Sequence, residues 1–251
     1  MTSPGEAADA TGPSTPVLSA RNLTVTYDNG FPAVSGYSVD LMPGTLTVML
    51  GRNGAGKTST LRGIIGFLPH EPGSARGIVT VGGEVVRRPN PLRLSRLGVG
   101  LVAERDKVFA NVRVYEQMRL VTRARHQLDE ILDFFPRLRE RRNVRAGLLS
   151  GGERQMLATA LVLLCRPRVL LVDELSLGLA PGVVHELMSY LRRLADERGM
   201  AILAADQAVH ASLRVADCVQ IMDSGALVAS GPLDALDIDA VLDAYLGRDE
   251  R

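Results

Sequence analysis

The sequence has few cysteines and almost no net charge. Of its 251 residues two are cysteines, Cys165 and Cys218, and they show neither metal-ligand spacing nor a disulfide framework. Both lie among apolar residues, so we expect reduced, buried thiols in a cytoplasmic protein. The formal net charge of +1 gives no general electrostatic argument for binding nucleic acid or a membrane surface. A chain of this length can be one large α/β domain or two small ones, and a hydrophobic content of 46% suffices for a core.

The sequence also lacks a long apolar run. The longest, Met156 to Cys165, falls far short of the ~20 residues needed to cross a bilayer. Residues 1–16 have neither the basic region nor the apolar region of a signal peptide, and we interpret them as a disordered tail. We therefore predict a soluble chain whose folded domain spans residues 17–251.

Lysine is scarce as well, since only Lys57 and Lys107 are lysines among 29 lysine and arginine residues. Lys57 lies in the segment from Gly51 to Thr58, GRNGAGKT, which fits the G-x-x-x-x-G-K-[ST] pattern of a phosphate-binding loop. The glycines let backbone N–H groups turn towards an oligophosphate, the lysine reaches its β and γ oxygens, and the hydroxyl of Thr58 is a ligand for Mg²⁺. In a chain that otherwise uses arginine, a compact ammonium indicates a fit between phosphate oxygens.

The surroundings of this phosphate loop supply the strand and the helix that it requires. Leu46 to Leu50 is a short apolar run, and a helical pattern follows Thr58. A helix N-terminus adds exposed N–H groups and the positive end of a dipole. The predicted phosphate-binding residues are Gly51, Arg52, Asn53, Gly54, Ala55, Gly56, Lys57, Thr58 and Ser59.

Two adjacent acids follow a second apolar run. Val169 to Val172 is continuously apolar, as in a parallel strand buried on both faces, and Asp173 and Glu174 come directly after it. Ligands of α/β sheets bind at the carboxyl ends of the strands. We expect Asp173 to hold Mg²⁺, largely through its water shell, and Glu174 to polarise an attacking water. The alternative is a solvated strand end.

The segment from Leu149 to Gln155, LSGGERQ, predicts the start of a helix. Ser150 and Glu153 have the spacing of a capping box, so an ordinary capped helix is one interpretation. The other is an anion site. Glycines such as Gly151 and Gly152 each weaken a helix by up to about 1 kcal/mol relative to alanine, whereas bare backbone at a helix N-terminus lets an anionic ligand approach closely.

The rest of the chain reads as mixed α and β structure. Antiparallel strands are predicted between Val17 and Val39 around a turn at Asp28 to Pro32, and a hairpin over Gly77 to Val86. Residues 92–165 are predicted to hold a helical insertion, in which arginines 137, 139, 141, 142 and 145 form a solvated basic cluster. Further expected elements are strands at Val99 to Ala103, Met200 to Ala205, Cys218 to Met222 and Ala226 to Ala229, and helices at Val114 to Thr122, Gln127 to Arg142, Pro181 to Glu197 and Leu233 to Leu246.

In order and spacing, the phosphate loop, the Leu-Ser-Gly-Gly-Glu segment and the apolar strand with its Asp-Glu pair resemble ATP-binding-cassette (ABC) ATPases. Within that family the chain looks most like the ATPase subunits of branched-chain amino-acid importers, of the LivF type. This finer resemblance rests on residues 102–109 (VAERDKVF), 174–181 (ELSLGLAP) and 205–207 (ADQ). The resemblance covers nearly the whole chain beyond Pro16. It implies a P-loop NTPase fold with a RecA-like core, an antiparallel β subdomain and a helical signature subdomain.

The resemblance also implies residue roles, with ATP and Mg²⁺ as cofactors. Tyr27 corresponds to the aromatic residue that stacks on adenine, although an ordinary strand residue is the alternative. Glu104 corresponds to the residue that senses Mg²⁺ and contacts the membrane partner, and Gln207 to the residue that touches the γ-phosphate. His210 is expected on a helix surface. The implied catalytic residues are Glu174, Lys57 and Gln207, and the implied Mg²⁺ residues are Thr58, Glu104 and Asp173.

The resemblance also implies that the helix start at Ser150 contacts the ATP of a second subunit. Two cassettes face head to tail, and Ser150, Gly151, Gly152 and Glu153 of one are implied to close on the ATP held by Lys57 of the other. Hydrolysis then releases the dimer. Three departures from the family pattern leave the cargo open: Leu175 replaces a proline, alanine follows Phe109, and residues 205–208 are ADQA instead of VEQN.

The implied function is an ATP-hydrolysing subunit that energises import of branched-chain or related amino acids, or of amides such as urea. It would form a homodimer or heterodimer and sit at the inner face of the cell membrane through permease subunits, without nucleic acid. One alternative is a soluble ABC ATPase of DNA repair or translation, which usually has a long coiled coil or a second cassette. Another is a module that holds ATP without turnover, against which Lys57, Asp173 and Glu174 argue.

Overall fold

The structure is a computed structural model that describes residues 15–27, 30–68, 73–104, 108–238 and 240. Its strands are β1 (Leu18–Tyr27), β2 (Pro32–Leu41), β3 (Leu46–Leu50), β4 (Gly73–Val81), β5 (Glu84–Val86), β6 (Val99–Val102), β7 (Val169–Asp173), β8 (Ala201–Ala205), β9 (Cys218–Asp223) and β10 (Ala226–Pro232). Its α-helices are α1 (Lys57–Ile65), α2 (Pro91–Arg96), α3 (Val114–Val121), α4 (Arg125–Phe134), α5 (Pro136–Glu140), α6 (Gly151–Leu163), α7 (Pro181–Arg198) and α8 (Val209–Leu213).

The larger sheet has six strands in the order β10-β9-β3-β8-β7-β6. All neighbouring pairs are parallel except β9 and β10, the two strands predicted near the end of the chain, which form an antiparallel hairpin. Every residue of β3, β7 and β8 is buried, as their continuous apolar sequences predict for strands covered on both faces. Because the strands are parallel, β3, β7 and β8 end at the same edge of the sheet, and their C-terminal loops meet there.

The smaller sheet has four antiparallel strands in the order β2-β1-β4-β5. It confirms the predicted β-rich start and the predicted hairpin of residues 77–86, whose turn lies at Gly82 and Gly83. Alternate residues of β1, such as Leu23 and Val25, are buried, while its other face is partly open. This alternation is that of a sheet with one face on the core.

Two hydrophobic clusters cover the two faces of the six-stranded sheet. Val48, Leu170 and Val172 join helices α3 to α7 on one face. On the other face Met49 and Leu171 join α1 and the smaller sheet. The phosphate loop therefore begins and ends in packed structure, because β3 before it and α1 after it both belong to these clusters.

Three sequence predictions need correction. The helix expected over Gln127 to Arg142 is two helices, because Pro136 lacks an N–H and clashes with a helical conformation at Phe135, which has φ −118° and ψ 79°. The prediction that both cysteine thiols are buried is also wrong. Cys165 is exposed and Cys218 is partly exposed, since Cys165 lies beyond the end of α6; both are free.

The third correction concerns the C-terminal helix expected from Leu233. Leu233–Ala235 forms a short 3-10 turn, and Leu236 is extended with φ −104° and ψ 134°, so the predicted start is wrong, although residues 238 and 240 are helical. Residues 239 and 241–251 lie outside the described residues, as do residues 1–14 of the expected tail. Within the helical insertion expected at residues 92–165, β6 is part of the six-stranded sheet, and α3 to α5 follow it. The predicted domain boundaries stay a prediction.

Candidate active site

The phosphate loop joins β3 to α1, as predicted, and the backbone conformation favours glycine at two of its positions. Gly54 and Gly56 have φ values of +81° and +99°, which side chains disfavour. A Cβ at Gly56 would lie 2.5 Å from Ala33 O. The first helical residue is Lys57, and no side chain caps the helix start. The loop thus leaves the N–H groups of the first turn to an anion, where the helix dipole is also favourable.

Lys57 lies over this loop and is buried, with 4% of its surface exposed. Its Nζ donates to Gly51 O at 2.5 Å and to Arg52 O at 3.2 Å. The ammonium is therefore held at the concave side of the loop, beside the N–H groups of the helix start. This is the location from which a lysine contacts nucleotide phosphates.

Thr58 and Asp173, two of the three residues predicted for Mg²⁺, are in contact, whereas Glu104 is near Asp173 but lines a different cavity from the phosphate loop. Thr58 Oγ1 donates to Asp173 Oδ1 at 2.8 Å, and Asp173 is 3% exposed. Burial raises the pKa of Asp173, while the hydrogen bond from Thr58 and the nearby Arg62 oppose that rise. The charges of Glu174 and Glu104 raise the pKa further. The site thus has an excess of negative charge and hard oxygen donors, which fits Mg²⁺ held by a few protein oxygens, water and phosphates.

Glu174 faces the phosphate loop from the end of β7. It lines a cavity of about 130 Å³ together with Ala33 and residues 54–59. Its backbone N–H donates to Ala205 O at 2.9 Å, and its Oε1 accepts a hydrogen bond from Gln207 Nε2 at 2.8 Å. Its φ of +47° is unusual for a residue other than glycine. The structure therefore brings Glu174 and Gln207 together beside the loop.

Tyr27 ends β1 next to the start of α1. Its hydroxyl lies 3.2 Å from Ser59 Oγ, within hydrogen-bonding distance. The ring is therefore adjacent to the predicted nucleotide site, although this contact alone is equally that of a strand residue packed on a helix. His210 is exposed on α8, as expected.

The segment from Ser150 to Glu153 forms the predicted capping box at the start of α6. Glu153 N donates to Ser150 Oγ at 3.2 Å, and Ser150 N donates to Glu153 Oε2 at 2.8 Å. Glu153 also accepts from Arg141 Nε at 3.1 Å. The N–H groups of Ser150 and Glu153 are therefore satisfied by hydrogen bonds within one chain.

The two glycines of this helix start also have packing roles. Gly152 is buried, and a Cβ there would overlap Val183 Cγ1 of α7; a Cβ at Gly151 would lie 2.8 Å from Leu179 Cδ2. Gly152 therefore has a packing role, and its contact with a partner's ATP stays a prediction. Gly151 lines a different cavity from the phosphate loop, one that Glu104 also lines.

Asp206 is the polar residue of this region that the sequence analysis missed. It is fully buried after β8, and its backbone N–H donates to Met49 O of β3 at 3.1 Å. Its carboxylate accepts hydrogen bonds from the loop of Gln207 and from Ser176. The available signal was its position, since an acid follows a buried apolar strand here just as Asp173 ends β7.

Comparison with known proteins identifies the family. Residues 34–176, more than half of the chain, match the family described as ABC transporter. The chain belongs to the ABC transporter family. It is an ATP-binding, ATP-hydrolysing subunit of that family, which uses ATP with Mg²⁺, and its fold is that of the P-loop NTPases. Proteins of this family work as dimers with membrane permease components.

Two similar proteins agree with the LivF-type resemblance. The branched-chain amino acid transport ATP-binding protein BraG of Pseudomonas aeruginosa is 33% identical over 229 residues, which cover 88% of this chain and 96% of BraG. The probable LivF of Archaeoglobus fulgidus is 32% identical over 203 residues, which cover 78% of this chain and 84% of LivF. The lipopolysaccharide export protein LptB of Escherichia coli K12 is 30% identical over 93% of this chain and 98% of LptB.

A solved structure supports the fold. MJ1267, an ATP-binding cassette of an ABC transporter in its ADP conformation, matches with a TM-score of 0.80 at 23% identity, over 94% of this chain and all of MJ1267. At this identity the likeness establishes the architecture alone. In the described ranges of this ABC subunit, none of the helices combines the length and the apolar character of a membrane span.

Proposed function

We propose that this ABC subunit energises the import of branched-chain or related amino acids, or of amides such as urea. The observation that carries this proposal is the 33% identity to BraG over nearly the full length of both chains. LivF of Archaeoglobus fulgidus supports it independently. LptB and the phosphonate import protein PhnC of Hyphomonas neptunium are also similar at 30% identity, so the cargo needs a direct test.

In this proposal one chain supplies most of an ATP site. The phosphate loop and Lys57 bind the phosphates, and Tyr27 stacks on adenine. Thr58 and Asp173, with Glu104 near them, hold Mg²⁺, which when bound neutralises charge on the phosphate oxygens. Glu174 orients and polarises water at the loop. The contact between Gln207 Nε2 and Glu174 Oε1 supports an amide that keeps Glu174 beside the γ-phosphate position.

The site would be completed by a second ABC subunit. Ser150 and Gly151 are at the exposed side of the α6 start, whereas the phosphate loop lines a separate cavity of the same chain. A helix start of this kind favours a phosphate. We therefore assign Ser150, Gly151, Gly152 and Glu153 to the ATP held by the partner, in a homodimer or heterodimer attached to permease subunits at the inner face of the membrane.

The test of the cargo is uptake by a reconstituted transporter. The chain is co-expressed with the permease and binding-protein genes that adjoin its own, and the complex is placed in proteoliposomes with internal ATP. We expect ATP-dependent uptake of labelled leucine, valine or urea and none with Lys57→Ala. Uptake of a phosphonate but of none of these substrates would contradict the proposal.

Co-purification tests the soluble alternative. A transport subunit is expected to purify with its permease from detergent-solubilised membranes. Recovery of the tagged chain with DNA-repair or ribosomal proteins, and without a permease, would favour the soluble ABC ATPase instead.

A further inference from the structure

Asp206 joins three parts of the ATP site. Its carboxylate Oδ1 accepts hydrogen bonds from Gln207 N at 2.7 Å and Ala208 N at 2.8 Å. The same carboxylate accepts from Ser176 Oγ, a short hydrogen bond, and from Ser176 N at 3.2 Å. Through its own N–H it is tied to Met49 of β3, the strand that leads into the phosphate loop.

The four hydrogen bonds to Asp206 satisfy a carboxylate that is fully buried. Burial of an ionised group is unfavourable unless its lone pairs are satisfied, and hydrogen bonds to a charged acceptor are stronger than those between neutral groups. Asp206 is 0% exposed, and four donors from two separate loops converge on it. Removing the carboxylate would therefore release both loops together.

Both loops carry residues proposed to act at the γ-phosphate. Ser176 is two residues beyond Glu174, and Gln207 directly follows Asp206. Gln207 in turn donates to Glu174, whose left-handed φ of +47° is maintained only where its surroundings impose it. Asp206 therefore holds the segment after Glu174 on one side and the amide that contacts Glu174 on the other.

We propose that Asp206 is a positioning residue of ATP hydrolysis, which keeps the Glu174 carboxylate aligned through Ser176 and Gln207. This inference rests on the proposed roles of Glu174 and Gln207. Asp206 does not touch the phosphate loop cavity itself, whose lining includes Glu174. Its loss should therefore lower turnover and leave ATP binding nearly unchanged. Misplacing a reacting group by about 1 Å is enough to reduce turnover by ~100-fold.

The matched control is Asp217, a carboxylate with a purely structural position. It accepts from Leu46 N at 2.7 Å and from Arg192 Nη1 at 2.6 Å, at the opposite end of β3. Asp217→Ala is thus expected to lower the unfolding midpoint. Its kcat for ATP, measured well below that midpoint, is expected to stay within about 3-fold of wild type.

The experiment measures kcat, ATP affinity and thermal unfolding of the purified full-length chain with its permease. For Asp206→Ala we expect kcat to fall by at least ~30-fold while ATP affinity changes by less than about 3-fold. Asp206→Asn keeps an oxygen for Gln207 N and Ala208 N but places an amide against Ser176 N, so its kcat should lie between those of wild type and Asp206→Ala. Equal kcat values for Asp206→Ala and Asp217→Ala would overturn the inference.

A double variant with Gln207→Ala distinguishes a positioning role of Asp206 from a role in folding alone. In a Gln207→Ala background, Asp206→Ala should lower kcat by clearly less than the ~30-fold expected in the wild-type background, because the contact of Gln207 with Glu174 is already gone and only the hydrogen bonds to Ser176 remain to be lost. Additive losses in the double variant would contradict the proposal. If Asp206→Ala does not fold, Ser176→Ala replaces it, since it removes only one hydrogen bond to Asp206.

Ser212→Ala is the control for Ser176→Ala, because Ser212 is buried and its hydroxyl makes no hydrogen bond in the described part of the chain. We expect Ser176→Ala to lower kcat several-fold more than Ser212→Ala; equal values would overturn the inference. Glu174→Gln is measured in parallel. If Glu174→Gln hydrolyses ATP like wild type, the proposed catalytic role of Glu174 is wrong. If Glu174→Gln is inactive but Asp206→Ala is fully active, only the positioning role of Asp206 is wrong.

Discussion

At the scale of single residues, the chemistry of this ABC subunit centres on Glu174. Its carboxylate is held by Gln207 Nε2 at 2.8 Å, and its backbone by Ala205 O at 2.9 Å. A carboxylate fixed at both its backbone and its side chain keeps one orientation towards the loop cavity. A general base acts efficiently only when it is within hydrogen-bonding reach of the proton that it accepts.

Glu174→Gln should reduce ATP hydrolysis by at least ~100-fold while ATP binding is retained, because the amide cannot accept a proton from water. Hydrolysis is measured by phosphate release, and binding by titration calorimetry. The matched control is Glu84→Gln, an exposed acid paired with Arg93 away from the loop, which should hydrolyse ATP like wild type. Undiminished hydrolysis by Glu174→Gln would remove the residue from the catalytic role.

Gln207 makes a prediction about pH. Its amide does not titrate, so the wild-type rate should show no inflection assignable to residue 207 between pH 6 and pH 7.5, roughly the histidine range. Gln207→His places an imidazole beside Glu174 and should introduce such an inflection, since the protonated and neutral rings bind a phosphate differently. The pH profile of kcat checks this. An unchanged profile in the variant would argue against a contact with the γ-phosphate.

The residues of the site were predictable to different degrees. Lys57, Thr58 and Asp173 belong to local patterns whose chemistry depends on a few adjacent residues, and the structure brings them together. The position of Asp206 after a buried strand was visible in the sequence, but its hydrogen bonds were not predictable, because its partner Ser176 is 30 residues away and joins it only through the order of β7 and β8 in the sheet. The adjacency of Gln207 to Glu174 has the same origin.

At the scale of helices and strands, the start of α6 combines a cap with close packing. Gly152 is the second residue of α6, and Gly182 is the second residue of α7. A Cβ at Gly152 would overlap Val183 Cγ1, whereas nothing lies within 4 Å of a Cβ at Gly182. The two glycines are therefore a matched pair with different surroundings.

Gly152→Ala should lower the free energy of unfolding by about 1–3 kcal/mol, because Val183, whose branched side chain has few rotamers in a helix, must shift to fit the methyl group. Gly182→Ala should leave stability unchanged or raise it by up to ~1 kcal/mol, since alanine favours the helix and meets no neighbour. Urea denaturation measures both. Equal stability of the two variants would mean that close packing does not require glycine at position 152.

Glu153 predicts how stability depends on pH. Burial alone would raise the pKa of Glu153, but hydrogen bonds from Ser150 and Arg141 outweigh it and hold the pKa below its usual 4.5. A lowered pKa in the folded state means that ionised Glu153 stabilises the fold above pH 4.5, and that this contribution is lost as the pH falls through the folded-state pKa.

The variant Glu153→Gln keeps a capping group without the charge, so it should be about 0.5–1 kcal/mol less stable than wild type at pH 7. The difference should shrink below pH 4.5. Urea denaturation between pH 7 and pH 4 tests this, with the exposed Glu140→Gln as control. A gap that stays constant across this range would show that the charge of Glu153 does not stabilise α6.

Helices and strands were predicted best where one residue type decides the conformation. Continuous apolar runs correctly predicted β3, β7 and β8, and Gly82 with Gly83 correctly predicted a hairpin turn. The break between α4 and α5 was missed although Pro136 marks it, because the apolar spacing continues through the proline. The exposure of Cys165 was missed because apolar neighbours in sequence do not determine which side of a helix end faces solvent.

At the scale of the whole molecule, the arrangement predicts a dimer driven by ATP. The phosphate loop and the start of α6 line separate cavities of one chain, and a head-to-tail pair would bring each loop to the partner's α6. The order of the motifs along the chain predicted the family fold, whereas the separation of these two sites required the three-dimensional structure.

Sedimentation of the Glu174→Gln chain with Mg²⁺ and ATP tests this central claim most directly. Because slow hydrolysis should trap the closed pair, we predict a dimer with ATP and a monomer with ADP. Adding Ser150→Arg should abolish the dimer and leave ATP binding intact, whereas the control Ser230→Arg, at an exposed residue of β10, should leave the dimer unchanged. A monomer with ATP at all concentrations, or a dimer unaffected by Ser150→Arg, would contradict the account.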